Sequence, residues 1–352
     1  MTTIIDYVRS ARTPLRSDLS PADALTLATL TYANFHALAG PRSTRGCRLR
    51  EVAQASSISA LYDHAMVTER NCALLRSLLC AVGESPRFRD IRVRDAVTRI
   101  GVQPLAQFGA VTFVDEAGAT YVVFRGTDAS AVGWAEDARF GLDFPTDSQW
   151  WAANYLAYAA SGADGPITVV GHSKGANLAL YAAAATTPPA LERVYAFDPV
   201  GFPASVVEGG FFLSIDGLMR IYVTAGSWVS PLLPLPSQAT VVASSWPGPL
   251  SHNPYAWRAE GPAAGALRPG HDARVGSAAG RGHPPELSRR GCGPAREHAR
   301  GVGCRRPVRD VCGAEQDEDL PVREQHGVGV VEARRVRGGP GLVLAPVLPD
   351  RG

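Results

Sequence analysis

The sequence predicts an α/β protein: a mostly parallel sheet with helices on both faces. Three observations predict it. Residues 167–170 are Ile-Thr-Val-Val, a run rich in β-branched side chains that ends at Gly171, and an Ala/Leu-rich run of helical character begins at Ser173. Strand-like and helix-like runs alternate around this junction, the pattern of parallel strands joined by crossover helices. Two strand-like runs, 107–114 and 120–124, are joined by a short link containing Ala117-Gly118, which predicts an antiparallel opening pair.

Taken in order, Ser20-Pro21-Ala22-Asp23 reads as a helix start, with serine as N-cap and proline at the first helical position. Its apolar pattern runs to about residue 38. Residues 39–60 are polar and punctuated by Gly and Ser, so a loop is expected, followed by a helix over about 65–82. His36 and His64 read as structural or surface residues. After the two opening strands, residues 133–137 read as a polar-aromatic loop. Residues 148–160 form a helix with an aromatic stripe (Trp150, Trp151, Tyr155, Tyr158), which is core and rim packing. Beyond the helix that starts at Ser173, Pro188-Pro189 ends the run, and short strands are expected at 193–197, 220–224 and 239–243.

Apolar residues make up 45% and charged residues 19% of the 352, which describes a soluble globular chain with ample core. The chain before residue 262 therefore reads as one domain, with a mainly helical part over 1–100 and the sheet over 101–261. Lys174 is the sole lysine. The start of the chain has no basic stretch followed by an apolar one, and no apolar run reaches membrane-spanning length, so neither a secretory signal nor a transmembrane segment is expected. Cys47, Cys72, Cys80, Cys292, Cys304 and Cys312 have no paired metal-site or disulfide-framework spacing. Reduced thiols and a cytoplasmic location are the expectation.

Gly171-His172-Ser173-Lys174-Gly175 is a G-x-S-x-G pentapeptide between a strand and a helix. A serine nucleophile needs such a turn, which lifts its oxygen above the sheet, and the two glycines make room for it. A serine also needs a base, and the base an orienting acid. His252 is the one histidine between Ser173 and the tail, just past the last strand. Glu192, Asp198, Glu208 and Asp216 lie between them, and only Asp198 stands at the C-terminal end of a strand, where functional groups of such sheets collect. Its alternative role is a turn residue of Asp198-Pro199. The backbone N–H groups of Lys174 and Thr127 are the expected oxyanion donors. The Lys174 side chain reads as solvated or structural. This chemistry requires neither a metal nor an organic cofactor.

Phe-Arg-Gly-Thr-Asp (124–128), Gly-Trp-Ala-Glu-Asp (133–137), Gly-His-Ser-Lys-Gly-Ala-Asn-Leu-Ala (171–179) and Phe-Asp-Pro-Val-Gly-Phe (197–202) resemble the Mbeg1-like family, a lipase-like branch of the α/β-hydrolases. Residues 3–261 carry the resemblance, and the Phe-Arg-Gly-Thr segment and the elbow also resemble class 3 lipases. The resemblance implies an α/β-hydrolase fold and a serine esterase or lipase with Ser173 as nucleophile, Thr127 near the oxyanion, and an acyl ester, lipid or soluble, as substrate. One departure stands out. Class 3 lipases carry their acid in an Asp-x-Val-Pro segment, and the matching residues here, Ser227-Trp228-Val229-Ser230-Pro231, hold no carboxylate. Either Asp198 is the acid, or the triad is incomplete and the chain is a catalytically silent scaffold with a binding or regulatory role.

From residue 262 the composition changes. The last 91 residues hold 16 Gly and 15 Arg, with no Phe, Tyr, Trp, Ile, Lys, Asn or Thr. Such a segment builds no core, so disorder is expected. It lacks repeated Arg-Gly-Gly units and interleaved aromatics, so a nucleic-acid partner is not expected. A reading-frame shift shortly after Gly261 explains both the composition and the end of the resemblance.

Overall fold

The structure, a computed structural model, describes residues 2–35, 46–54, 69–128, 130–260 and 265–270. The chain divides into a unit of Met1–His283 and a unit of Pro284–Gly352, and every described residue lies in the first. Seven strands form one sheet in sequential order: β1 (Arg92–Val102), β2 (Leu105–Val114), β3 (Thr120–Phe124), β4 (Ile167–His172), β5 (Leu191–Phe197), β6 (Met219–Thr224) and β7 (Ala239–Val242). β1, β2 and β3 pair antiparallel, and β3 through β7 pair parallel.

Alternate residues of each strand feed opposite faces. On β3, Tyr121 and Val123 join the core packed against α1 (Ile4–Ser10), α2 (Pro21–Leu30) and α4 (Glu69–Glu84). Val122 and Phe124 join the core under α6 (Asp147–Ser161) and α7 (Lys174–Thr186). Helices thus cover both faces of a mostly parallel sheet, with a strand–turn–helix junction at its centre. This is the α/β-hydrolase fold.

The first layer is fixed by a buried ion pair. The Asp23 carboxylate caps α2 through Ser20 and accepts both Arg87 Nε and Nη2 at 2.7 Å, and Tyr7 of α1 donates to it at 2.7 Å. Pro21 stands at the first helical position, as its sequence context predicts.

Several expectations need correction. α1, with its capping box of Thr3 and Asp6, and the edge strand β1 were not expected. α2 ends at Leu30 rather than near 38, and a short helix, α3 (Leu49–Gln54), lies inside the expected loop. Residues 133–137 are not a loop but lie in α5 (Ala131–Asp137), capped by Ser130. A last short helix, α8, spans Ala204–Glu208. His36, His64, Cys292, Cys304 and Cys312 lie outside the described residues, while Cys72 and Cys80 are free thiols.

The chain stays paired past residue 261. The Gly265 carbonyl accepts from Ala22 N, Arg268 N donates to Arg258 O, and Arg268 O accepts from Ala243 N. Leu267 is buried in the first core. The rest of the expected disordered or frameshifted tail lies outside the described residues. Among the described residues no helix is long and apolar enough to cross a membrane.

Candidate active site

The strand ends build the site. β4 ends at His172, and the chain turns into α7 through Ser173, whose φ of 58° and ψ of −128° lie where few non-glycine residues are found. The turn is held by Ser173 N donating to Phe197 O at 2.9 Å. Its tightness explains both glycines. A Cβ on Gly171 would run into the Gly175 carbonyl, and one on Gly175 into the Phe124 carbonyl at the end of β3. The Ser173 side chain makes no cap hydrogen bond to the helix it precedes.

Asp198 follows β5 with φ 47°, fully buried, its N–H donating to Tyr222 O at 2.7 Å. Its Oδ2 lies 2.7 Å from His252 Nδ1. Its Oδ1 accepts the Ser230 hydroxyl. Ser230 lies in the 227–231 segment, which holds no carboxylate and supplies a hydrogen-bond donor to Asp198. His252 ends a 3-10 turn (Gly248–His252) and keeps 18% of its side chain exposed, and its ring lies 4.7 Å, centroid to centroid, from that of His172. The structure thus brings Asp198 and His252 together at the elbow. Asn177 of α7 steadies the loop after Asp198, donating to Val200 O and Gly201 O at 3.1 and 2.9 Å.

Lys174 follows Ser173 in the elbow, and Thr127 follows Gly126, whose Cβ would lie 2.8 Å from the His172 carbonyl oxygen. Thr127 Oγ1 donates to Asp137 Oδ2 at 2.6 Å. Burial pushes the Asp137 carboxyl up to about 6, against the opposing pull of Lys174 and the Thr127 hydroxyl. Helix geometry leaves the first N–H groups of α7, beginning with Lys174, without helical partners. The Lys174 side chain is structural, not solvated. Fully buried, it reaches back to Gln107 O at 2.7 Å, to Gln107 Oε1, and to Glu136 Oε2 at 3.1 Å. Burial lowers its pKa and the Glu136 carboxylate opposes that shift. α5 therefore ties down both residues expected to supply oxyanion donors, through neighbouring side chains.

Sequence reasoning assigned no role to Glu136, Asp137, Ser230, Tyr32 or the His172 ring. Glu136 and Asp137 stand in Gly-Trp-Ala-Glu-Asp (133–137) and His172 in the elbow pentapeptide, which are the signals the sequence offers; Ser230 and Tyr32 act by contacts across the fold. Among the described residues no cluster of His, Cys, Asp and Glu forms a metal-binding group.

Similar solved structures include a mutant form of MDLA from Penicillium cyclopium, 17% identical with a TM-score of 0.40, covering 62% of this chain and 77% of that one. A Rhizomucor miehei lipase propeptide complex is 16% identical, TM-score 0.36, covering 55% and 66%. A triacylglycerol lipase from Penicillium expansum is 14% identical, TM-score 0.32, covering 44% and 70%. No curated protein matches the sequence. The family model for Mbeg1-like proteins matches residues 82–267, more than half of the chain, beginning inside α4 and reaching the segment paired beyond Gly261. This chain belongs to the Mbeg1-like family.

Proposed function

We propose that the protein is a serine hydrolase that cleaves a carboxylic ester through an acyl-enzyme at Ser173. The observation that carries this reading is the 2.7 Å hydrogen bond between His252 Nδ1 and the buried Asp198, beside a serine held at positive φ in a strand-to-helix turn. With Nδ1 donating to the carboxylate, the lone pair of a neutral His252 lies on Nε2, the form of a general base. His252 takes the Ser173 proton as the hydroxyl attacks the acyl carbonyl. It returns that proton to the departing alcohol, then activates the water that frees Ser173. The N–H groups of Thr127 and Lys174 stabilise the oxyanion in both halves of the reaction. Asp198 keeps the imidazole oriented and stabilises its charged form.

Short-chain p-nitrophenyl esters test the reading. Ser173→Ala is expected to lower kcat by about 10⁴-fold or more relative to wild type. Equal rates for the two proteins would overturn the reading and support a non-catalytic scaffold.

A further inference from the structure

Behind the proposed catalytic pair lies a second chain of hydrogen bonds that the reaction itself does not use. Tyr32, just after α2, places its hydroxyl 2.9 Å from His172 Nδ1. His172 Nε2 in turn lies 2.9 Å from the main-chain carbonyl oxygen of His252. A carbonyl only accepts, so His172 Nε2 carries a proton. The ring is wholly buried; burial, then the neighbouring His252, pushes its pKa down to about 3, which keeps it neutral. A neutral ring protonated at Nε2 has its lone pair on Nδ1, and the Tyr32 hydroxyl is then the donor to it.

We infer that Tyr32 and His172 form a two-link positioning device for His252: Tyr32 fixes the tautomer of His172, and His172 Nε2–H sets the main chain of His252 against Asp198. The device rests on the hydrolase reading for its purpose. Other bonds hold the surrounding loop. Trp257 Nε1 donates to Ser251 O at 3.1 Å, and the Ser251 and Thr224 hydroxyls lie 2.8 Å apart. Those bonds stop one residue short of the histidine; the His172 bond acts on His252 itself. The same tyrosine accounts for a glycine in the Phe-Arg-Gly-Thr motif. A Cβ on Gly126 would strike the Tyr32 hydroxyl and would lie 2.8 Å from the His172 carbonyl oxygen. Gly126 is therefore empty volume reserved for Tyr32, directly before the proposed oxyanion donor Thr127.

The test uses the full chain labelled with ¹⁵N-histidine, read by long-range ¹H–¹⁵N correlation, with His172→Gln assigning the signal. Wild type is expected to show His172 protonated at Nε2 and bare at Nδ1, unchanged as the pH is lowered through the ordinary histidine range. On a p-nitrophenyl ester, Tyr32→Phe is expected to reduce kcat by up to about 100-fold while leaving KM unchanged, the signature of misplacement. His172→Gln, which keeps an N–H donor near Nε2, is expected to retain more activity than His172→Leu. A proton on His172 Nδ1, a doubly protonated ring at neutral pH, or a wild-type kcat in Tyr32→Phe would overturn the inference. A wild type that cleaves no ester yet shows the Nε2–H form would support the hydrogen-bond chain and overturn the hydrolase reading alone.

Discussion

One buried carboxylate, that of Asp198, is shared between the Ser230 hydroxyl and the His252 imidazole. Removing the hydroxyl leaves a buried oxygen without its donor, so Ser230→Ala is expected to cost about 1–3 kcal/mol of stability. The carboxylate that orients His252 would also be freer to turn, so kcat should fall with KM unchanged. Urea unfolding and ester kinetics on the same preparations check both. Two other buried groups set opposite dependences on pH. His172 has a folded pKa of about 3 against an ordinary 6.5, so the unfolded chain binds the extra proton in that window and stability rises with pH across it. Asp137 has a folded pKa of about 6 against an ordinary 3.8, so the folded chain holds the extra proton and stability falls as pH rises through that window. Asp137→Asn removes only the second effect. The stability of the variant minus that of wild type should increase as pH rises from 3.8 to about 6 and then level off. A constant difference in urea unfolding across that range would contradict it. Asp198 could be singled out in the sequence because it alone of four carboxylates ends a strand, and it is the one that meets His252. Ser230 could not, because its contact with Asp198 is made between two different loops.

The elbow depends on backbone proximity, with the start of α7 lying against the ends of β3 and β4. Gly175→Ala would press a methyl into the Phe124 carbonyl, backbone that has nowhere to move, and is expected to cost roughly 3 kcal/mol or more. Gly217→Ala meets nothing within 4 Å and should stay within about 0.5 kcal/mol of wild type. Thermal or urea unfolding of the pair distinguishes an elbow under steric constraint from a merely glycine-rich one. The same elements show where sequence patterns inform and where they fail. The central strands β3 and β4 are buried along their whole length, and β3 and the first four residues of β4 read as unbroken β-branched or aromatic runs. β1, with the sequence RVRDAVTRIGV, is an edge strand, mostly half-exposed, and its arginines and aspartate mask any alternation. α5 is a single short helix containing Gly133; its Ser130 cap, not its periodicity, defines it. α1 is seven residues long, too short for a helical period to emerge, although Thr3 and Asp6 form a capping box.

The two helical layers meet at the site through single residues. Tyr32 comes from the α2 side of the sheet and bonds the His172 ring at the end of β4, while Asn177 comes from the α7 side and bonds the loop after Asp198. The family match, which starts at residue 82, includes the elbow, Asp198 and His252 but not Tyr32. Residues 265–270 bond to Ala22, Val241, Ala243 and Arg258. A chain ended after residue 260 would lose these bonds and the buried Leu267, and should be at least about 2 kcal/mol less stable than one ended after 270. Equal urea midpoints for the two chains would contradict that. The activation of Ser173 that we propose for Asp198 and His252 is tested by a fluorophosphonate probe, which needs an activated serine and not the right substrate. Wild type is expected to be labelled at Ser173, as located by peptide mass spectrometry, and His252→Ala and Ser173→Ala are expected not to be labelled there. A folded wild type that leaves Ser173 unmodified, or a His252→Ala protein labelled as fast as wild type, would contradict it.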